Sequence, residues 1–251
     1  MRNIFICAMI ALMAASCQSD SSEQINAGKG KIAITATTSG VVTTRGEGIM
    51  LQTPQVSDFS LEISGVQANK SWSSIADYKY EEEYFTAGNY TVAISYGDSS
   101  AEGYNLPCFS DSKEVEVLDR NRTTKVAMTA KLANAIVTVQ TTEAFDNYFP
   151  VSNFTITTAS NMFEFDKQAT DHLFVAAGQA VAIDCTCIRQ SNLTAGTSEK
   201  LATQTIPSTA ATTRYVLTYD LSTAGGVSIT VKLNDTTIDT IEIDNELNPN
   251  A

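Results

Sequence analysis

The chain has very little histidine: His172 is the only one in 251 residues. A Ser-His-Asp or Cys-His site needs an imidazole within hydrogen-bond reach of a nucleophile. No nucleophile-elbow pattern accompanies this one, so a surface turn or strand-edge histidine is the simpler reading. Basic residues are also scarce, 16 Lys and Arg against 28 Asp and Glu, for a net charge of −12. That excludes nucleic acid as a partner, because binding it takes clustered Lys and Arg. It equally argues against electrostatic docking on anionic lipid. There is no apolar run of the roughly 20 residues that a spanning helix needs. There is no D-x-D-x-D-G loop for calcium, and no long helical period. The expectation is a non-enzymatic protein with no catalytic residues, no metal site and no cofactor.

One short apolar run is present, at the start. Arg2 and Asn3 precede an almost continuous apolar stretch from Ile4 to Ala15, and Ala14, Ala15 and Ser16 stand directly before Cys17. A basic start, a short apolar core and small residues make a secretory signal peptide. "AASC" also resembles a lipobox, with Ala14 where the pattern prefers Leu. The resemblance implies that Cys17 is diacylated on sulfur and becomes the first residue of the mature chain. Two or three acyl chains anchor stably, at about 0.8 kcal/mol per buried methylene. The alternative is a plain signal peptide followed by a stray or structural cysteine. "QSDSSEQ" after Cys17 reads as a flexible polar tether. Its Asp20 and Glu23 resemble the acidic export signal of Bacteroides-type lipoproteins, which implies the outer face of the outer membrane.

The body reads as all-β. "KIAITATT", "FSLEISG", "YTVAISY" and "VSITVKL" alternate apolar and mixed positions with period two, the pattern of half-buried antiparallel strands. The best helical candidate is Thr142 to Phe149, with Thr142 as cap and Phe145 and Phe149 at i, i+4. Two stretches repeat: "VSDFSLEIS" at Val56 with "VSNFTITTA" at Val151, and "FTAGNYTVAI" at Phe85 with "FVAAGQAVAI" at Phe174. Such a period suits two sandwiches of about 100 residues each, with Gly88 and Gly178 supplying positive φ before a strand. The expected plan is a signal peptide at 1–16, acylated Cys17 and tether at 17–29, one tandem antiparallel β-sandwich at 30–131, a second at 132–246 and a tail at 247–251. The two sandwiches, Ig-like or transthyretin-like, should meet near Lys131 to Ala135.

"SDFSLEI", "FTAGNYTVAISYGD", "SKEVEV", "TTKVAMTAKLANAIVTV" and "FDNYFPVSNFTITTAS" follow in order the pattern of domain of unknown function family 4493, a group of Bacteroides-type lipoproteins. The C-terminal "VSITVKLNDTTIDTIEID" resembles that family's ending. More distantly, a lipid-anchored pair of sandwiches is similar to fimbrillin-like surface proteins. The resemblance implies location and architecture and brings no catalytic residues. In fimbrillin-like precursors an Arg after the first strand resembles the site where a surface protease cuts, which makes Arg45 a candidate processing site. An ordinary arginine in a Gly-flanked loop explains it as well. Thr236 in "DTT" and Thr240 in "DTI" resemble O-glycosylation acceptors of the same bacterial group.

The remaining constellations are weaker. "DCTC" puts Cys185 and Cys187 on one strand face, and Cys108 is the other cysteine of the mature body. An odd number cannot all pair. A zinc site wanting four ligands, a disulfide to Cys108 and free buried thiols all fit that pattern. Glu81 to Glu83 in "YEEEYF" alternate faces if extended, so they make no paired acid and base. Trp72, Tyr78, Tyr80, Tyr84 and Tyr104 could form a glycan-stacking platform or simply fill a sandwich core. The expected function is a lipid-anchored outer-membrane surface protein with a structural, adhesive or pilus-like role. The alternative is a glycan-binding accessory lipoprotein of an outer-membrane nutrient-uptake system. Its partners would be the membrane, through Cys17, and other surface proteins or glycans.

Overall fold

The computed structural model describes residues 28–43, 49–165, 167, 171–194, 196–222, 227–234 and 236–243. The signal peptide, Cys17, the tether up to residue 27 and Arg45 lie outside the described residues.

The fold is all-β with one α-helix among the described residues. The strands of the first half are β1 (Lys29–Ser39), β2 (Val41–Val42), β3 (Ile49–Met50), β4 (Ser60–Gly65), β5 (Lys70–Trp72), β6 (Phe85–Thr86), β7 (Gly88–Tyr96), β8 (Gly103–Tyr104), β9 (Phe109–Val117) and β10 (Thr123–Leu132). The second half follows with β11 (Ala135–Thr141), the helix α1 (Glu143–Tyr148), β12 (Val151–Thr157), β13 (Met162–Phe165), β14 (Leu173–Val175) and β15 (Val181–Ile188). It ends with β16 (Glu199–Lys200), β17 (Gln204–Ile206), β18 (Arg214–Ser222), β19 (Val227–Leu233) and β20 (Thr236–Ile243). Seven strands pair in the order β5-β4-β7-β9-β10-β1-β6. Six more run β20-β19-β18-β11-β14-β8, and a third sheet runs β13-β12-β15-β16 with β17 also on β15.

The period-two alternation works as burial. Ile32, Phe59, Leu61, Ile63, Tyr90, Val92 and Ile94 all enter one hydrophobic core, and Phe154, Ile156, Ile229 and Val231 enter another. Each fully buried Leu, Ile or Phe contributes about 1.5–3 kcal/mol relative to exposure, so these stripes fix which face of each strand turns inward. The helix forms where its signals stand. Thr142 Oγ1 accepts from the Phe145 N–H at 3.3 Å, and the Phe145 and Phe149 rings stack 5.0 Å apart in the second core.

The two repeated stretches occupy corresponding places. β4, just after buried Phe59, lies between β5 and β7; β12, with Phe154, lies between β13 and β15. The first strand of each half behaves alike too. β1 runs parallel to β10 from Lys31↔Thr123 to Ser39↔Lys131, and β11 runs parallel to β18 from Ile136↔Arg214 to Thr141↔Tyr219. Each also takes a short antiparallel partner bearing a buried Phe, Phe85 of β6 or Phe174 of β14. Gly88 and Gly178 both hold positive φ, at 147° and 84°.

These parallel pairs correct the expectation of purely antiparallel sheets. A parallel pair needs a long crossover between its strands, and here the crossover is nearly a whole half of the chain. Strand periodicity carries no mark of that direction. The halves also interlock. β8, from within 30–131, pairs with β14 in the sheet otherwise built from residues after 132. In β11, Ala135 and Val137 face the second core while Ile136 faces the first; in β14, Leu173 and Val175 face the second and Phe174 the first. Strands covered on both faces read as unbroken apolar runs, which is the composition of "AIV" and "LFV".

Candidate functional site

Two features gather polar and aromatic side chains: a strap laid across the start of β1, and a groove beside the first core. The strap is the segment from Ile75 to Ala87. Tyr78 donates from its hydroxyl to the Ile32 carbonyl of β1 at 2.6 Å and packs edge-on against Trp72, with ring centroids 4.8 Å apart. Lys31 donates to the Glu81 carbonyl at 2.9 Å and lies 4.7 Å from the Tyr84 ring centre. β6 then pairs with Lys29 and Gly30, and Ala87 N–H donates to the Gly28 carbonyl at 2.8 Å. Burial, with Glu83 and Glu81 nearby, pushes the Tyr78 pKa far above the usual phenol range. The Tyr78 hydroxyl therefore stays protonated and keeps donating to β1.

The aromatics singled out from the sequence are thus only partly together. Trp72, Tyr78 and Tyr84 gather at the start of β1, and Tyr80 is exposed on the same strap. Tyr104 lies elsewhere, in β8, donating to the Glu164 carbonyl at 3.0 Å and facing Phe165. Of the acidic run, Glu83 is held by Lys70 at 2.5 Å. Cys108, Cys185 and Cys187 are free and buried. A hydrogen bond with neighbouring Cys187, and then burial, hold the Cys185 thiol protonated. Among the described residues no cluster of His, Cys, Asp and Glu is placed to hold a metal. Thr236 and Thr240 lie on β20, the outermost strand of the six-stranded sheet, opposite Leu233 and Thr230.

The groove has a volume of about 430 Å³. Residues 50–54 after β3, Tyr96 at the end of β7, Asn105 and Pro107 after β8, and His172 and Phe174 around β14 line it. Asn105 sits at φ 57°, a left-handed conformation that Asn tolerates better than most residues, and its N–H donates to the His172 carbonyl at 3.1 Å. The ring of His172 stands edge-on to Phe174 at 6.3 Å. Burial and then Arg214 lower the His172 pKa, with Asp171 opposing them.

Away from the groove lining, Glu102 ties the halves together. Its Oε2 accepts from Thr158 Oγ1 at 2.6 Å and Asn161 Nδ2 at 2.9 Å; its Oε1 accepts from Ala176 N at 3.0 Å and from Gln179 Nε2. Burial opposes its charge, but these four donors outweigh it and leave the carboxyl pKa lowered. Asn134 does the same work inside: fully buried, it accepts from Cys108 N and donates to the Leu106 carbonyl, each at 3.0 Å. Sequence reasoning missed the groove and both tethers. Gln52, Tyr96, Asn105 and His172 come from four separate segments, and no local pattern joins them.

The family model described as domain of unknown function (DUF4493) matches residues 27–249, nearly the whole chain. The chain belongs to the DUF4493 family. No curated protein matches this DUF4493 chain. Among solved structures it is similar to a candidate adhesin from Bacteroides thetaiotaomicron, at 10% identity over 87% of this chain and 99% of that one, with a TM-score of 0.40. It is similar to a candidate cell adhesion protein from Bacteroides eggerthii, at 11% identity over 83% and 95%, with a TM-score of 0.40. A third similar structure, described as a candidate polysaccharide-binding protein from Bacteroides thetaiotaomicron, shares 7% identity over 86% and 99%, with a TM-score of 0.42. No helix among the described residues is long and apolar enough to cross a membrane.

Proposed function

We propose that this DUF4493 protein is a lipid-anchored, non-enzymatic surface protein of the outer membrane with an adhesive or structural role. The observation that carries the reading is the junction of sequence and fold at the N-terminus. A lipobox-like "AASC" and a polar tether lead straight to Lys29, where the β body begins. The body then stands off the membrane on a short leash, as two β-sandwich units at 30–131 and 132–246 that share the wall formed by β11 and β14. Arg45 stays uncut in this reading. Cutting there would release β1 and β2, taking buried Ile32 and Val42 out of the first core and leaving β10 an open edge that associates with other strands. Thr236 and Thr240, on an outermost strand, are its proposed O-glycan acceptors.

The test is Cys17→Ser. The variant should leave the membrane fraction or accumulate as an unprocessed precursor; unchanged partition and unchanged mass would sink the anchor. A second reading, glycan capture for uptake, is favoured by the groove beside the first core, where no charged side chain lines it among the described residues.

A further inference from the structure

We propose that this groove is a binding site for a short neutral saccharide, with the amides of Gln52 and Asn105 and the imidazole of His172 as its hydrogen-bonding groups and Tyr96 as its stacking face. The inference rests on the glycan-capture reading and supplies its site and ligand class. Four observations converge on it.

The first is place and size. Small-molecule sites are clefts of roughly 300 to 1,000 Å³; this cleft measures about 430 Å³, sits against the first core at Phe174, Leu51 and Tyr96, and draws its lining from both halves of the chain. The second is charge. Among the described residues no acidic or basic side chain lines the groove. The charges that reach His172, Arg214 and Asp171, are of opposite sign and stand outside that lining. The third is unused hydrogen-bonding capacity. The side chains of Gln52, Asn105 and His172 and the hydroxyl of Tyr96 have no hydrogen-bond partner among the described residues. Gln52 and Asn105 are exposed and Tyr96 and His172 half-buried, so these groups are open to a ligand. Amides, and a neutral imidazole, each offer a donor and an acceptor, the pairing that a sugar hydroxyl asks for. His172 is neutral at pH 7 because burial and Arg214 disfavour its charged form, against the pull of Asp171. The fourth is shape. Half-buried Tyr96 and buried Phe174 give the groove an apolar wall and floor, against which the C–H face of a pyranose packs.

Because His172 is the only histidine, its ring carbons and protons are a single reporter inside the groove. Cellobiose, maltose and mannobiose, with digalacturonate as the charged control, are titrated into the full acylated chain in detergent with ¹³C-labelled histidine. At least one neutral disaccharide should shift the His172 ring signals saturably, and digalacturonate should bind about tenfold more weakly or not at all. Gln52→Ala combined with Asn105→Gly, which suits the left-handed backbone at 105, should weaken binding at least tenfold, about the loss of one good hydrogen bond. A melting curve and an unshifted ligand-free His172 spectrum establish that this variant is folded. Silence of the ring signals toward all three neutral probes overturns the proposal, as does equal binding of digalacturonate or an unaffected double variant. If Trp72 fluorescence responds while His172 is silent, the glycan reading survives and the site moves to the strap. If neither responds, the glycan reading falls and the adhesive one stands.

Discussion

Glu102→Gln tests whether the two halves are held by one carboxylate. All four of its partners donate: Thr158 Oγ1, Asn161 Nδ2, Ala176 N and Gln179 Nε2. Gln is nearly the same shape but offers only one acceptor oxygen. Whichever way the amide turns, two donors face its NH₂ group. An orphaned buried donor costs about 1–3 kcal/mol. The Thr158 hydroxyl can turn to the Asn161 carbonyl, 3.4 Å away, and Glu102 is half-exposed, so the low end applies, about 2 kcal/mol in all. For a chain of this size that is a fall in Tm of about 4–8 °C, read by calorimetry at pH 7. The sign with pH follows from the lowered pKa of Glu102. Its stabilisation is fully present above the unfolded value of 4.5 and is lost as pH falls through the lower folded value. The gap between wild type and variant should therefore shrink on acidification. A variant that melts within about 1 °C of wild type at pH 7, or a gap that persists in acid, would refute the clasp.

Tyr78→Phe removes the hydrogen bond to the Ile32 carbonyl and should cost about 1 kcal/mol; hydrogen exchange should quicken at the start of β1 and stay unchanged in β19, and uniform quickening would contradict the strap. His172 has a folded pKa below its ordinary 6.5, so its contribution is complete above that value and is lost as pH drops through the folded one. NMR titration of its single ring should show a midpoint below 6.5, and a midpoint above it would contradict the burial.

How much of this was legible in the sequence depends on range. Local signals came through: Thr142 caps its helix, the Phe59 and Phe154 stretches fill corresponding strands, and Gly88 and Gly178 hold positive φ. Alternation told which face of β4, β7 and β19 is buried, because that depends only on the two-residue repeat. Partner and direction were not readable. β1 looks like any half-buried strand, and nothing in "KIAITATT" tells that it runs parallel to a strand some 90 residues away. The aromatics misled in part for a similar reason. Tyr78 and Tyr84 are bound to β1 by contacts made only after the chain returns, and Tyr104 belongs to the other sheet. Glu102 carried no signal at all, since its four donors lie 56 to 77 residues downstream.

The most direct test of a tethered, uncut surface protein is the mass of its native N-terminus. Mass spectrometry of the protein taken from outer membranes should find a chain beginning at Cys17 and carrying two or three acyl groups, with no fragment beginning at Gly46. An unacylated N-terminus would contradict the anchor, and a chain beginning at Gly46 would show that β1 is removed and the body assembles by strand exchange instead.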